Sequence, residues 1–496
     1  MIQASQIIPF GEWLPDLGAF NNPGALTVKN CIPIENGRYS PFNDLVDYSD
    51  ALANNCKGAF THIDSSGTVR IFAGSKTKLY KLSGTAWEDV TRTTGGDYAT
   101  TDDGFWNFVA FGDLVIATNY TDDIQVFDTA TDTDFSQLSS TAPRCRTMFV
   151  LKNFLVCLDV VDGDGSTSYR ARWSPLGDPE GDWTDIDLQA DFQDIIGGSS
   201  ANYVGFSIQD VGYITQNQNI IRMEYIAGTA IFRFENVEDA KGSKFYRGAV
   251  TNGRDIFYRG VDGFYQFNGV YSAPIGSGKV DNYFNESFNA SYPYNVLAAI
   301  DPYNKLVVFA YPSKTSSGGT PDTMLIYNWS VQKWAVIEQD IQLLFNYVSS
   351  TYTLEGLDAI STSLDALPFS LDSQNWKGGT PIFGAFDNVN RLGSFEGSPK
   401  EATLGSGEIR FNENGKSTIH SVIPYIEGSS TLTARLGMRD NLSDSITWTD
   451  IIGKNSITGE FDFCRTSRYS CLELLISGDW KKSIGFAYRA DKAGDV

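Results

Sequence analysis

The chain has 496 residues and a mass of 54.6 kDa, which at ~150 residues per domain suggests about three domains, or two where all-β units run long. Sixty acidic against 38 basic residues leave a formal charge of −22, which argues against a polyanion-binding surface built from bulk charge. The 42% hydrophobic fraction excludes disorder, and 13% aromatics with 47 Gly and only 5 Met point to many short strands joined by tight turns.

The first 55 residues, rich in Asn and Pro, read as an extended N-terminal arm with a short helix. No basic residue precedes Lys29, so a secretory leader is not expected. From about residue 59 a local figure recurs: an apolar strand, a Gly, Asn or Asp turn, then a second strand carrying an aromatic beside Leu, Ile or Val. Seven such second strands are Lys78–Leu82, Ile124–Phe127, Tyr169–Trp173, Ile221–Tyr225, Phe264–Phe267, Met324–Trp329 and Ile382–Phe386. Their spacing, roughly 43 to 60 residues, is close to that of propeller blades. One four-stranded sheet of this size cannot bury both faces, whereas radial packing buries them against neighbours and leaves only short edges. Aromatic pairs follow across turns: Tyr80 with Trp87, Trp173 with Trp183, and Tyr327 with Trp334. Stacked sandwiches share this pattern.

Beyond the arm, two helices are expected. Leu188, Phe192, Ile195 and Ile196 fall on one helical face between Asp187 and Gly197, and Val280, Phe284 and Phe288 form a second stripe. Composition changes near residue 395. A turn-rich stretch, Ser394–Gly407, leads to a last β block with strands at Ser421–Ile426, Leu432–Gly437 and Cys471–Ile476. The expected organisation is therefore all-β: an arm at 1–55, a propeller-like body of about six or seven sheets at 56–395, and an additional C-terminal β domain at 396–496. The longest apolar runs, such as Leu306–Tyr311, are strand length, and nothing approaches the ~20 residues of a membrane-spanning helix.

Residues that could carry chemistry are few. His62 and His420 are the whole histidine supply, so a site of several His ligands is impossible and a Ser-His-Asp triad would have to use one of them. The six cysteines, Cys31, Cys56, Cys145, Cys157, Cys464 and Cys471, show no CxxC spacing and read as free, mostly buried thiols of a reducing compartment. A Cys464–Cys471 bridge across a hairpin stays open. Asp159, Asp162 and Asp164 are close enough to wrap Ca²⁺, yet Thr167 and Trp173 stand where an EF-hand starting at Asp162 needs Gly and Glu, so a hairpin loop is expected. Gly276-Ser277-Gly278-Lys279 lacks the upstream Gly and following Ser or Thr of a phosphate loop. Asp440, Asn441, Thr447 and Trp448 loosely resemble the sialidase Asp-box hairpin, a fold element rather than a catalytic one. No local carboxylate pair stands out for glycoside hydrolysis, and no basic stripe with interleaved aromatics points to sequence-specific nucleic-acid binding. No catalytic, cofactor or metal residue is assigned.

Four segments, taken in order, resemble one family. The first is Asn22-Pro23-Gly24-Ala25-Leu26, Lys29-Asn30-Cys31-Ile32-Pro33 and Tyr39-Ser40-Pro41-Phe42. The second is Arg172-Trp173-Ser174 with Gly177-Asp178-Pro179 and Trp183. The third runs from Arg222-Met223-Glu224-Tyr225 through Phe232, Asp262-Gly263-Phe264-Tyr265 and Asn268-Gly269 to Pro274-Ile275-Gly276 and Val280-Asp281. The fourth is Leu357-Asp358-Ala359-Ile360, Leu371-Asp372-Ser373 and Trp376-Lys377-Gly378-Gly379. The order is similar to that of the tail nozzle or tail hub proteins of short-tailed bacteriophages, the tail tubular protein B type and the DNA-stabilisation hub type. It spans about residues 15 to 400. Two positions depart from the family pattern: Ser40, where Arg is usual, and Cys31, where Val or Ala is usual.

The resemblance implies a virion structural protein without enzymatic activity or cofactor, assembled in the host cytoplasm. Six copies would form a ring below the portal and the head-to-tail adaptor protein. The ring would contact tail fibre or tailspike and distal tail proteins, and genomic DNA would pass through its lumen without specific binding. Acidity fits independently, since an acidic wall repels phosphate and spares the duplex the Lys and Arg contacts at which it would stick. The rival is a glycan-directed propeller, either a lectin or a sialidase-like hydrolase. A third reading is an interaction propeller outside any virion.

Overall fold

A computed structural model describes residues 7–20, 22–197, 201–228, 230–348, 381–413 and 415–493. Seven antiparallel four-stranded units follow one another. Six are formed by the chain at 58–89, 107–137, 144–194, 202–239, 249–274 and 297–338. The seventh takes Leu343–Val348, Pro381–Phe386 and Arg391–Ser394 from the body, and its outer strand, Val46–Ala51, from the N-terminal segment.

First strands of successive units lie side by side. Gly58–Ile63 neighbours Asn107–Phe111, then come Arg144–Leu151 and Asn202–Ile208; Ala249–Thr251 neighbours Leu297–Asp301, then Leu343–Val348, which returns to Gly58–Ile63. The fourth and fifth units join through a shared cluster of Ile208, Tyr213, Ala249, Ile256 and Phe267. The result is a closed ring of seven blades, as the aromatic repeat leads one to expect. Six of the seven repeat strands are the third strand of their blade; the one at Ile382–Phe386 is the second strand of the last blade, whose outermost place is filled from the N-terminus.

Strand periodicity explains the ring. Along Leu306–Tyr311 all six side chains are buried: Val307, Phe309 and Tyr311 join one inter-blade cluster, while Leu306, Val308 and Ala310 join the next. In the second blade Val115 and Ala117 face the first blade and Ile116 faces the third. The aromatic pairs divide the same way. Tyr327 and Trp334 are cross-strand partners with ring centroids 4.8 Å apart. Trp173 packs toward the fourth blade, and Trp183 toward the second.

The last β block centres on two long strands, Lys416–Arg439 and Tyr469–Ala493, paired antiparallel with bulges near Ser421, Ile426 and Gly428. Three N-terminal strands are woven into its sheet. Ala25–Lys29 pairs with Ala402–Ser406, and Cys31–Ile34 pairs with Arg38–Pro41, which meets Ser483 through Tyr39. A single parallel pairing, Lys29 with Val336, ties this sheet to the outer edge of the sixth blade. The described part of the N-terminal segment is thus strand throughout its paired length, with a single 3-10 turn at Glu35–Gly37.

Of the two expected helices, Asp281–Ser287 forms, burying Phe284 against Phe264 and Tyr311. The helix expected between Asp187 and Gly197 does not. A 3-10 turn at Ile186–Leu188 is capped by Asp185, which accepts from the Asp187 N–H, and ends at Gln189 with φ of 68°. Asp191–Asp194 then pairs as the outer strand of the third blade. Pairing wins over the helical pattern because Arg170 bonds Asp194 and its guanidinium lies over the Phe192 ring at 3.9 Å. Among the described residues no helix is long and apolar enough to cross a membrane.

Candidate functional site at the mouth of the propeller axis

In a propeller the first strands of all blades run the same way along the axis, so the residues entering them gather at one mouth. Lys57, Arg247, Asn295 and Gln342 each stand just ahead of a first strand, and all four line one cavity of about 320 Å³ together with Lys76, Asp102 and the Gly318-Gly319 turn. A second cavity, of about 270 Å³, follows along the axis. Its walls mix apolar side chains such as Phe108, Met148, Phe206 and Phe345 with the polar Asn107, Thr147, Tyr246 and Arg247.

Arg247 lines both cavities, and Tyr246 beside it lines the second. The Tyr246 hydroxyl donates to Asp159 Oδ2 at 2.8 Å, and its ring packs on Tyr203 with centroids 4.7 Å apart. Arg146 donates from Nε to the same Asp159 oxygen at 2.7 Å, and its guanidinium lies over both Tyr120 and Tyr246. Side chains of the second, third and fourth blades are thereby clasped to the strand leading into the fifth. Asp159 has φ of 52°, at a bulge in its strand, which turns its carboxylate to this position.

Arg247 is differently placed. Its backbone carbonyl accepts from the Ala298 N–H at 2.6 Å, Nη2 donates to the Tyr294 carbonyl at 2.8 Å, and the guanidinium lies 5.0 Å from the Phe105 ring. Its buried Nε finds no acceptor, and among the described residues no carboxylate pairs with it. Burial lowers its pKa to about 10. Lys57 donates to the carbonyls of Asp102 and Gly104, at 2.6 and 3.2 Å, and likewise has no carboxylate partner among the described residues. Burial and then the nearby Arg247 charge lower its pKa. Lys76 pairs with Asp102 at 2.6 Å. Beneath them the Cys56 thiol is pushed up to about 12 by burial. The mouth is therefore a cationic pocket in an acidic protein.

Motifs singled out in the sequence lie elsewhere. The Asp162–Gly165 hairpin is tied down by arginines: Arg170 contacts Asp162, Asp164 and Asp194, and Arg172 contacts Asp162. Gly276 opens the turn into the helix at Asp281–Ser287, and its carbonyl accepts from Lys279, Val280 and Asp281. Asp440 pairs with Lys416, while Trp448 packs under the Arg435 guanidinium at 4.5 Å. His62 is buried in the first blade, with its pKa lowered by burial; His420 is exposed and pairs with Asp491. All six cysteines are free, five of them buried, so the Cys464–Cys471 bridge does not form. Among the described residues no three His, Cys, Asp or Glu side chains converge as metal ligands. The sequence reading passed over the mouth, although Lys241, Lys244 and Arg247 form a short basic run in an otherwise acidic chain.

No family model and no curated protein matches the chain. Solved structures show only a loose likeness. The computationally designed Ika8 protein is 10% identical, with a TM-score of 0.35, covering 72% of this chain and 98% of that one. The extracellular domain of the one-component system BT4673 from B. thetaiotaomicron is 10% identical, with a TM-score of 0.40, over 84% of this chain and 48% of that one. A fungal alcohol oxidase of the AA5 family, in complex with copper, is 9% identical, with a TM-score of 0.37, over 90% and 99%. At these scores none carries an argument about function.

Proposed function

We propose that the chain is a structural component of a short-tailed phage virion: a tail nozzle or hub subunit that forms a hexameric ring below the adaptor, with the genome passing through the lumen between subunits. The observation that carries this reading is the order of the four family-like segments along the chain. Segments one to three fall, in the described residues, at joints of the architecture. The first weaves the N-terminus into the C-terminal sheet. The second forms the rim of the third blade, where Trp173 and Trp183 pack to opposite sides. The third spans the fourth and fifth blades to the helix at Asp281–Ser287. The fourth lies outside the described residues.

Two physical features support the reading. The two cavities along the axis of a single propeller hold only about 320 and 270 Å³, so a duplex needs the wider lumen of a ring. Exposed apolar side chains cluster on the outer face of the third blade, where Ile186 is 75% and Leu188 48% accessible, a surface suited to a neighbouring subunit. The chain acts by assembly rather than turnover. A hydrolytic propeller would need a carboxylate pair in its axial pocket, whereas Asp102 is engaged by Lys76. Native mass measurement, alone and with the adaptor, tests the proposal. A hexamer is the expected result; a persistent monomer in both would end it.

A further inference from the structure

The mouth of the propeller axis has a property that a ring subunit does not require. Three cations, Lys57, Lys76 and Arg247, line one small cavity in a protein of net charge −22; the one carboxylate in that lining is Asp102, bound by Lys76, and Asp103 acts on Lys57 from just outside it. Like charges gathered in a half-buried pocket are unfavourable without a counter-charge. The buried Nε of Arg247 has no acceptor, a cost that folding normally avoids. Amides of Asn295 and Gln342 complete the wall. Their amides brace the wall: Asn295 Nδ2 donates to the Gly319 carbonyl, while Gln342 Oε1 accepts from the Cys56 N–H and its Nε2 donates to Asn390 Oδ1.

We propose that this pocket binds a small tetrahedral oxyanion of the phosphate class, held by Arg247, Lys57 and Lys76. Charge selects the class. Among the lining residues three cations face one carboxylate, with Asp103 acting on Lys57 from outside the lining, and the remaining positive charge favours a multiply charged anion over a monocarboxylate. Geometry agrees. Arg247 enters from the fifth blade, Lys57 and Lys76 enter from the first, and a tetrahedral ion accepts from several directions at once. The Arg247 guanidinium, with Nη2 on the Tyr294 carbonyl and Nε without an acceptor, is the usual planar partner of such an ion. The lowered proton affinities of Lys57 and Arg247 have the same origin, since each is desolvated, and they would recover with an anion in place.

Isothermal titration of the full chain with sodium phosphate, at ionic strength matched with sodium chloride, tests the site. Sulfate and acetate serve as comparators. Saturable one-site binding of phosphate and sulfate, and much weaker binding of acetate, is expected. R247Q should weaken phosphate binding by about tenfold or more, through loss of charge-assisted hydrogen bonds. K76Q, at an exposed position that folding tolerates, should weaken it by about threefold. Circular dichroism confirms that each variant is folded, and K76Q together with K57M decides the matter where R247Q does not fold. No saturable heat with phosphate, acetate binding as tightly as phosphate, or folded variants all binding at the parent affinity would overturn the proposal. It stands or falls independently of the ring, because it is read from a single chain.

Discussion

The Tyr246 hydroxyl reaches Asp159 Oδ2 at 2.8 Å, across a separation of 87 residues, and shares that oxygen with Arg146 Nε. One carboxylate thus closes the axis of the propeller, joining the third blade to the strand that enters the fifth. Removing the hydroxyl with Tyr246→Phe leaves the ring packed on Tyr203 and deletes one hydrogen bond to a charged acceptor. The expected cost is about 1–2 kcal/mol of stability, read as a lower urea midpoint at unchanged m value. A Tyr246→Phe protein as stable as the parent would mean that Arg146 alone satisfies Asp159.

Ring closure depends on a glycine. A Cβ on Gly393 would lie 2.6 Å from the carbonyl oxygen of Val46, the first residue of the N-terminal strand that completes the seventh blade. Backbone cannot yield as a flexible side chain does, so Gly393→Ala must push that strand away. The expected loss is about 1–3 kcal/mol, with faster proteolysis of the N-terminal segment. Gly163→Ala, whose Cβ would meet open space, is the control and should stay within about 0.5 kcal/mol of the parent.

Asp281 supplies a pH dependence. Burial raises its carboxyl from 3.8 to about 6, against the opposing pull of the Phe264 N–H and Arg259. The folded chain therefore holds this proton more tightly than the unfolded chain does. By linkage, the Asp281 contribution to stability falls as pH rises from about 4 to about 6 and is constant above that window. Asp281→Asn keeps an acceptor for the Phe264 N–H and removes the titration. Relative to the parent, the variant should gain stability steadily across the window, as measured by urea unfolding at a series of pH values. A difference that does not change with pH would show that the carboxyl titrates alike in both states.

Much of the body was legible in the sequence because blade strands are apolar on both faces, and a run such as Leu306–Tyr311 has few other destinations. Turn residues and aromatic pairs then mark the repeat. The Asp187–Gly197 stretch misled because its helical spacing is real, yet Arg170, whose partners are Asp162, Asp164 and Asp194, draws it into a sheet. Closure by Val46–Ala51 was illegible for a different reason. Its partner, Arg391–Ser394, lies some 340 residues away, and no local pattern reports a pairing so distant. The mouth was missed because its cations come from separate blades, and only the ring brings Lys57 and Lys76 into one wall with Arg247.

The last prediction concerns assembly. Ile186 and Leu188 sit in the short 3-10 turn on the rim of the third blade, and both are exposed. Neither belongs to an inter-blade cluster, so replacing both with Asp leaves the core untouched. Exposed apolar groups of this kind are neutral for the fold of one subunit and stabilising for a contact between two. Placing two carboxylates there sets charge against a neighbour that is itself acidic, in a contact that excludes water. The double variant Ile186→Asp/Leu188→Asp is therefore expected to give the parent circular dichroism and thermal midpoint but to remain a monomer under conditions in which the parent forms a hexamer. Native mass spectrometry at several salt concentrations reads both. Partial recovery of the ring at high salt would follow from screening of the added charge, because the Debye length shrinks from ~10 Å at 0.1 M to ~3 Å at 1 M. A hexamer that forms equally well from the double variant would place the subunit interface on another face of the propeller, while the ring itself would stand.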